Sequence, residues 1–264
     1  MNTQLAAKSE LAYRPDAQLP GLFSLPVKAT KQERLPFTVR LVRSQDDLDK
    51  AVHIRHAAYA RHVPEFAQSL KQAEQKDGET GVVILLAESK LDGSPLGTMR
   101  IQSNQYKPLA LEQSVTLPHW LQDRSLAEAT RLGVTDEKTG RLVKTVLFKA
   151  FYLYCVQNDI EWMVVTGRAP IDRQYERLMF KDVYPELGYI PLPHVGNMLH
   201  RIMSFSVNSA ESNWAAAQHP MFDFIFRTHH PDIDVGSDVG NAPDKMNKHV
   251  SRPIEFNKNT ANQI

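Results

Sequence analysis

Hydrophobic and polar positions change period several times along this chain, and each change marks an element. FTVRLV (37–42) alternates with a period of two and predicts a strand. Ser44 then opens S-Q-D-D, a capping-box-like helix start, and Leu48, Val52, Arg55 and Tyr59 follow on one helical face. GVVILLAES (81–89) is a continuous apolar run of the kind a buried strand shows. LGTMRIQS (96–103) follows it across turn chemistry at Asp92–Pro95, predicting a hairpin. AEATRLGV (127–134) reads as another strand. It leads to a helix whose apolar stripe is Leu142, Val143, Val146, Leu147, Ala150, Phe151 and Tyr154. EWMVVTG (161–167) reads as a buried strand, Pro170 suits a first helical position, and Gly188 releases the chain into YIPL. Alternating strands and helices in the second half, with hairpins in the first, predict an α/β domain on a mixed sheet. Four prolines and weak periodicity make residues 1–36 an expected extended, loosely attached arm. The polar tail from Asp234 is expected to be disordered, which leaves 37–233 as the domain.

Composition narrows the function classes. Of 264 residues, 42% are hydrophobic and 23% charged, ordinary for a globular protein. The balance of 31 basic and 30 acidic residues argues against bulk nucleic-acid binding, so an anionic partner must meet a local patch. The single cysteine, Cys155, rules out an internal disulfide framework and is expected to be packed and inert. No secretory pattern and no apolar run of the roughly 20 residues a spanning helix needs are present, so a cytoplasmic protein is expected. The histidines form no H-E-x-x-H arrangement, and no metal site is predicted.

Three segments hold the candidate chemistry. IRHAAY (54–59), LGTMRI (96–101) and EATRLGV (128–134) each set an arginine among apolar neighbours, namely Arg55, Arg100 and Arg131. A half-buried arginine is costly without a carboxylate, which Glu128, Asp77 or a substrate would supply. Glu128 and Arg131 are an odd number apart, so a regular strand points them to opposite faces, and only a bulge brings them to one site.

The order of helix R-x-x-x-Y, strand G-T-M-R and strand E-x-x-R-L-x-V resembles the GNAT-related synthases that use acyl carrier protein. These are the acyl-homoserine lactone synthases and, closer in length and wording, the N-acyl amino acid synthases of the FeeM type. The resemblance spans roughly residues 38–205, and HHPDI (229–233) is similar to the latter group as well. Two stretches differ. T-D-E-K-T-G-R (135–141) is not the glycine-rich coenzyme A loop of ordinary acetyltransferases, and Phe66 and Asp77 match the lactone synthases only loosely.

The resemblance implies a GNAT-like three-layer fold with a splayed central sheet. It also implies transfer of a fatty acyl group from the thioester of acyl carrier protein to the amine of an amino acid. No cofactor is expected to be tightly bound. The donor would be the acyl-phosphopantetheine of the carrier protein, or acyl-CoA. The chemistry falls on Glu128, Arg131 and Arg100, and acceptor binding on Arg55, Tyr59, Phe66 and Asp77. Donor binding falls on Leu132, Gly133, Val134, Arg141 and Lys144. An amine attacks a thioester only when neutral, which a carboxylate base promotes, and backbone N–H groups can hold the oxyanion. The competing readings are an ion-pair cluster with no catalytic part, a lactone synthase, a CoA-dependent N-acetyltransferase, and a non-catalytic binder of acyl chains or amino acids. Arg173, Arg177 and Lys181, at i, i+4 and i+8, form either a carrier-protein docking stripe or an ordinary charged face.

Overall fold

Every strand expected from the hydrophobic pattern forms, and the strands line up as one mixed sheet. A computed structural model describes residues 31–135 and 138–236. Its first elements are β1 (Lys31–Gln32), β2 (Phe37–Leu41), α1 (Gln45–Ala60) and α2 (Pro64–Ala67), followed by 3-10 turns at Gln68–Leu70 and Gln75–Gly78. Next come β3 (Val82–Ser89), β4 (Pro95–Ser103), α3 (Ala110–Ser114), β5 (Leu126–Val134) and α4 (Lys138–Gln157). The chain continues with β6 (Trp162–Gly167), α5 (Asp172–Arg177), β7 (Lys181–Asp182), β8 (Ile190–Leu192) and β9 (Met198–Ser206). It closes with α6 (Ala210–Ala216), a π turn at Asp223–Arg227, β10 (Thr228–His229) and β11 (Ile233–Asp234). The order across the main sheet is β11-β2-β3-β4-β5-β6-β9-β7, with β8 also paired to β9. Within it only β11–β2 and β5–β6 run parallel. No helix among the described residues is long and apolar enough to cross a membrane.

The sequence signals act much as read. Ser44 caps α1 by accepting from the Asp47 N–H at 3.2 Å. The Asp47 carboxylate returns to the Arg43 N–H (3.2 Å) and clasps Arg40 at 2.6 and 2.7 Å, tying the helix start to β2. Leu142 leaves the predicted stripe, since it is exposed, while Val143, Val146, Leu147, Ala150 and Phe151 are buried. Lys181 lies in β7 rather than on the helix of Arg173 and Arg177, so the predicted basic stripe is broken. The acidic residues beside it, Asp172 and Glu176, are taken by Arg201.

Residues 31–36 are not a loose arm. β1 pairs with β10, the Leu35 N–H donates to Asp232 at 2.8 Å, and Leu35 itself is buried. At the other end β11 adds to the sheet edge and Val235 is buried, so the ordered domain runs past Asp234. The rest of the predicted arm and tail, 1–30 and 237–264, lies outside the described residues.

The two sheet faces are built differently. On one, α4 and α6 cover a continuous core that includes Leu85, Met99, Ile101, Ala127, Ala129, Phe151, Met203 and Trp214. Each large side chain buried there is worth about 1.5–3 kcal/mol. The opposite face carries two separate clusters. One, under α1, holds Leu48, Val52, Ile84 and Leu86; the other holds Leu111, Leu126, Val164 and Ile202. Between them the alternating pattern sends Arg100, Glu128 and Thr130 onto the same face as Leu126.

Candidate active site

A bulge in β5 creates the site. Arg100 pairs with Thr130 and Thr98 with Gly133, so Arg131 and Leu132 together oppose Met99. Arg131 takes up the extra residue with a left-handed φ of 55°, uncommon for a non-glycine residue. This bulge resolves the parity problem, because Arg131 and Glu128 come to the same region despite their odd separation. Past it, β5 parts from β6. Their parallel pairing covers Leu126–Ala129 against Trp162–Val165 and stops there, although both strands continue. From Thr130 onward, the edge of β5 that faces β6 has no strand partner among the described residues. Close packing on α1 holds the splayed segment in place. A side chain at Gly133 would come within 3.0 Å of Ala58 Cβ and 3.2 Å of Arg55 Cα.

Three arginines converge beneath this edge and share two carboxylates, Glu74 and Asp77, from the 3-10 turn before β3. Arg55, fully buried, meets Asp77 through two bonds of 2.8 and 3.1 Å and Glu74 at 3.2 Å. Arg100 reaches Glu74 (3.0 Å), Asp77 (3.1 Å) and the Thr130 hydroxyl (3.2 Å). Arg131 grips Glu74 through Nε and Nη2, both at 2.7 Å, and its guanidinium lies 5.1 Å from the centre of the Phe66 ring. Phe66 in turn packs on Tyr59 at 5.9 Å. Burial alone would raise the pKa of Glu74, but the Arg131 hydrogen bonds and the three positive charges overcome it and hold it at about 2. Asp77 also accepts from the Glu74 N–H at 2.8 Å, so the two acids brace their own turn. Glu74 was not foreseen. Its only signal is the E-x-x-D spacing with Asp77, in a segment without periodicity.

Glu128 stands beside this network without joining it. It is fully buried, and among the described residues neither carboxylate oxygen makes a well-formed hydrogen bond, although the Leu111 N–H points toward it. Burial raises its pKa, against the opposing pull of Lys76, the Leu111 N–H, Arg100 and Arg131. The ion-pair cluster envisaged from sequence thus exists, with Glu74 in the place given to Glu128. Beside Glu128 stands a second residue that sequence did not flag, His194, whose Nε2 lies 3.8 Å from Glu128 Oε1.

In front of the network lies a cavity of about 240 Å³. Tyr59, Phe66, Arg131, Leu132, Gly133, Val134 and Lys144 line it, and Arg168, Tyr175 and Met198 close the far side. Its described lining contains Arg61, Arg131, Lys144 and Arg168 but neither Asp nor Glu, so the interior favours an anion. Burial, together with neighbouring Arg141, lowers the pKa of Lys144, which hydrogen-bonds Gln174. Arg141 itself is exposed and is not part of the lining. Arg55, Arg100, Asp77 and Glu128 sit behind the wall rather than in it. Where β5 hands over to α4, a side chain at Gly140 would lie 2.1 Å from the Thr135 carbonyl oxygen, so only glycine fits this turn.

A bulged strand that parts from its parallel neighbour over an anion-favouring slot can be compared with known folds. The chain aligns with FeeM, an N-acyl amino acid synthase from uncultured soil microbes, at a TM-score of 0.53 and 17% identity, over 69% of this chain and 96% of that one. It aligns with BjaI, a CoA-dependent acyl-homoserine lactone synthase solved with SAM and isopentyl-CoA, at a TM-score of 0.50 and 15% identity, over 74% and 93%. The fold is GNAT-like. No family model matches the sequence, and no curated protein does. At such identities the likeness concerns the GNAT-like architecture, in which the splayed strands and the resemblance read from sequence coincide.

Proposed function

We propose that this protein is an enzyme, an N-acyltransferase that moves a fatty acyl group from the thioester of acyl carrier protein to the amine of an amino acid, giving an N-acyl amino acid. The observation that carries this reading is the parting of β5 from β6 after Ala129 and Val165, which leaves a cavity along the unpaired edge from Thr130 to Val134. A thioester carbonyl laid against that edge meets free backbone donors, and an extended pantetheine arm matches its length. The positive lining suits the phosphate of phosphopantetheine, with Lys144 and Arg168 nearest in chemistry, while Phe66, Leu132 and Met198 offer apolar wall to an acyl chain.

The acceptor attacks only as the neutral amine, and Glu128, the unpaired carboxyl behind the wall, is the base that takes, through a water, the proton the nitrogen sheds as it bonds to the carbonyl carbon. Arg131 draws the acceptor's carboxylate. Arg55, Arg100, Glu74 and Asp77 hold Arg131 and the bulge in place. FeeM, named as an N-acyl amino acid synthase, and BjaI, named as a CoA-dependent lactone synthase, share the fold and motivate the choice of donors to test.

The test is incubation of the purified chain with a long-chain acyl carrier protein, the matching acyl-CoA or acetyl-CoA, each with a mixture of amino acids or with SAM. Products are read by mass spectrometry. An N-acyl amino acid formed from the carrier protein is the expected result. A lactone from SAM, or acetylation alone, would reassign the reaction, and binding without any product would remove the enzymatic reading.

A further inference from the structure

Glu128 is fully buried and His194 half-buried, and each points a buried, unsatisfied atom at the other. Among the described residues His194 Nε2 and the two Glu128 oxygens make no well-formed hydrogen bond, and Nε2 and Oε1 are 3.8 Å apart. On the other side of the ring, His194 Nδ1 lies 2.9 Å from the Ser114 hydroxyl, which donates to the Ala110 carbonyl at 2.8 Å. With the Ser114 hydrogen committed to that carbonyl, Nδ1–H donates to Oγ, and Nε2 presents a bare lone pair to Glu128. Two bare acceptors facing each other away from water are costly, and one proton between them satisfies both once the atoms draw closer by about 1 Å, to hydrogen-bond distance.

We propose that His194 is a positioning residue that makes Glu128 and itself a single acid–base group, built to take one shared proton between Oε1 and Nε2. This rests on the acyl-transfer reading above. The acceptor's ammonium proton goes to solvent before attack; as the neutral amine nitrogen then forms its bond to the thioester carbon, it gives a second proton to Glu128, and the carboxyl lends it to Nε2. When the C–S bond breaks, the thiolate leaves with the bonding pair and takes that same proton, so the pair returns empty to the next cycle. Ser114 fixes the ring. The surroundings fit a pair that binds one proton and no more. Lys76 from the 3-10 turn, Arg100 from β4, Arg131 from β5 and His200 from β9 face it, all but His200 cationic, and they resist a second proton. Burial, then Lys76, Arg131 and His200, lowers the pKa of His194 to about 4, while burial raises that of Glu128. On this proposal the two groups titrate as one.

The experiment follows ¹⁵N-labelled histidine and ¹³C-labelled glutamate by NMR against pH in the full chain, with no substrate present. A single transition shared by His194 Nε2 and the Glu128 carboxyl is expected. In Glu128→Gln, His194 should lose that transition and stay neutral through it. Independent titrations, or a His194 signal indifferent to Glu128→Gln, would overturn the pair. Turnover supplies the second reading. His194→Gln keeps an acceptor near Nε2 but cannot take a proton, so it, His194→Ala and Ser114→Ala should each lower kcat by about 10-fold or more with little change in donor KM. If His194→Ala does not fold, the Gln and Ser114 variants carry the test, and equal turnover in Ser114→Ala and the parent at every pH would count against it. Because the titration needs no substrate, a shared transition without acyl transfer would sink the proposed reaction alone, and acyl transfer without a shared transition would sink the pair alone.

Discussion

The two faces of the central sheet use the same strands and opposite chemistry. Toward α4, Leu85, Met99, Ile101, Ala127 and Ala129 meet Val143, Leu147 and Phe151 in an unbroken apolar layer. Toward α1, the alternate residues of the same strands present Arg100, Glu128 and Thr130, and the apolar packing divides into two clusters around them. The first face can be stabilised by any side chains of suitable volume. The second is held by five charged groups that tolerate burial only because each cation finds a carboxylate, and by one carboxyl that finds none. A sheet that only needed stability would gain from filling that space with apolar residues, since replacing a buried ion cluster by hydrophobes is often neutral or favourable. Under the proposed function the chemistry belongs to the α1 face and the stability to the α4 face.

Asp77→Ala should break that arrangement hardest. It strips Arg55 of its closest partner in a fully buried setting, and a loss of about 3–5 kcal/mol in urea unfolding is expected. The double variant Asp77→Leu with Arg55→Met should recover much of that stability without recovering turnover. Phe151→Ala, on the apolar face, should cost a similar 3–5 kcal/mol, with no charge-neutralising partner change able to restore it.

Glu128→Gln sharpens the contrast from within the polar face. Because Glu128 forms no hydrogen bond with Arg100 or Arg131, its melting temperature should stay near that of the parent. Acyl transfer should fall by about 10²–10⁴-fold. An easily unfolded variant would assign Glu128 to scaffolding instead.

Acid should act on the α1 face first. Glu74 has its folded pKa depressed from 4.5 to about 2, so its contribution to stability is complete above the ordinary carboxylate range and is lost as pH falls toward 2. Unfolding measured across that window should show stability dropping with pH, and Glu74→Gln should flatten the slope. An unchanged slope in that variant would mean that the network does not carry the acid sensitivity.

The smallest effect belongs to the cavity rim. Arg168→Ala should raise donor KM by roughly threefold to tenfold while leaving kcat and melting temperature alone, and the difference should shrink at high salt. A salt-independent change would point to packing rather than charge.

Much of the frame was legible in the one-dimensional pattern. Strand and helix periods reflect a local geometry that repeats every two or 3.6 residues, so β2 to β6 and α1 and α4 fell where alternation and the stripe put them. Arg55, Arg100 and Arg131 stood out because a cation amid apolar neighbours needs a reason whatever the fold. Their convergence was a matter of three segments 30 or more residues apart, which only strand order could bring together. Glu74 was hidden because a 3-10 turn has no periodicity to betray which side chain points inward. His194 was hidden for a similar reason: a histidine beside a proline in a short connection carries no signal until β8 and β9 bring it to Glu128. The bulge at Arg131 was needed to reconcile an odd spacing with a shared site, but a positive φ at a non-glycine residue is imposed by the packing around it. The sequence by itself determined the elements and the charges that had to be buried. Which carboxylate met which arginine, and which one stayed unpaired, was decided by tertiary contacts, because pairing depends on distance in space.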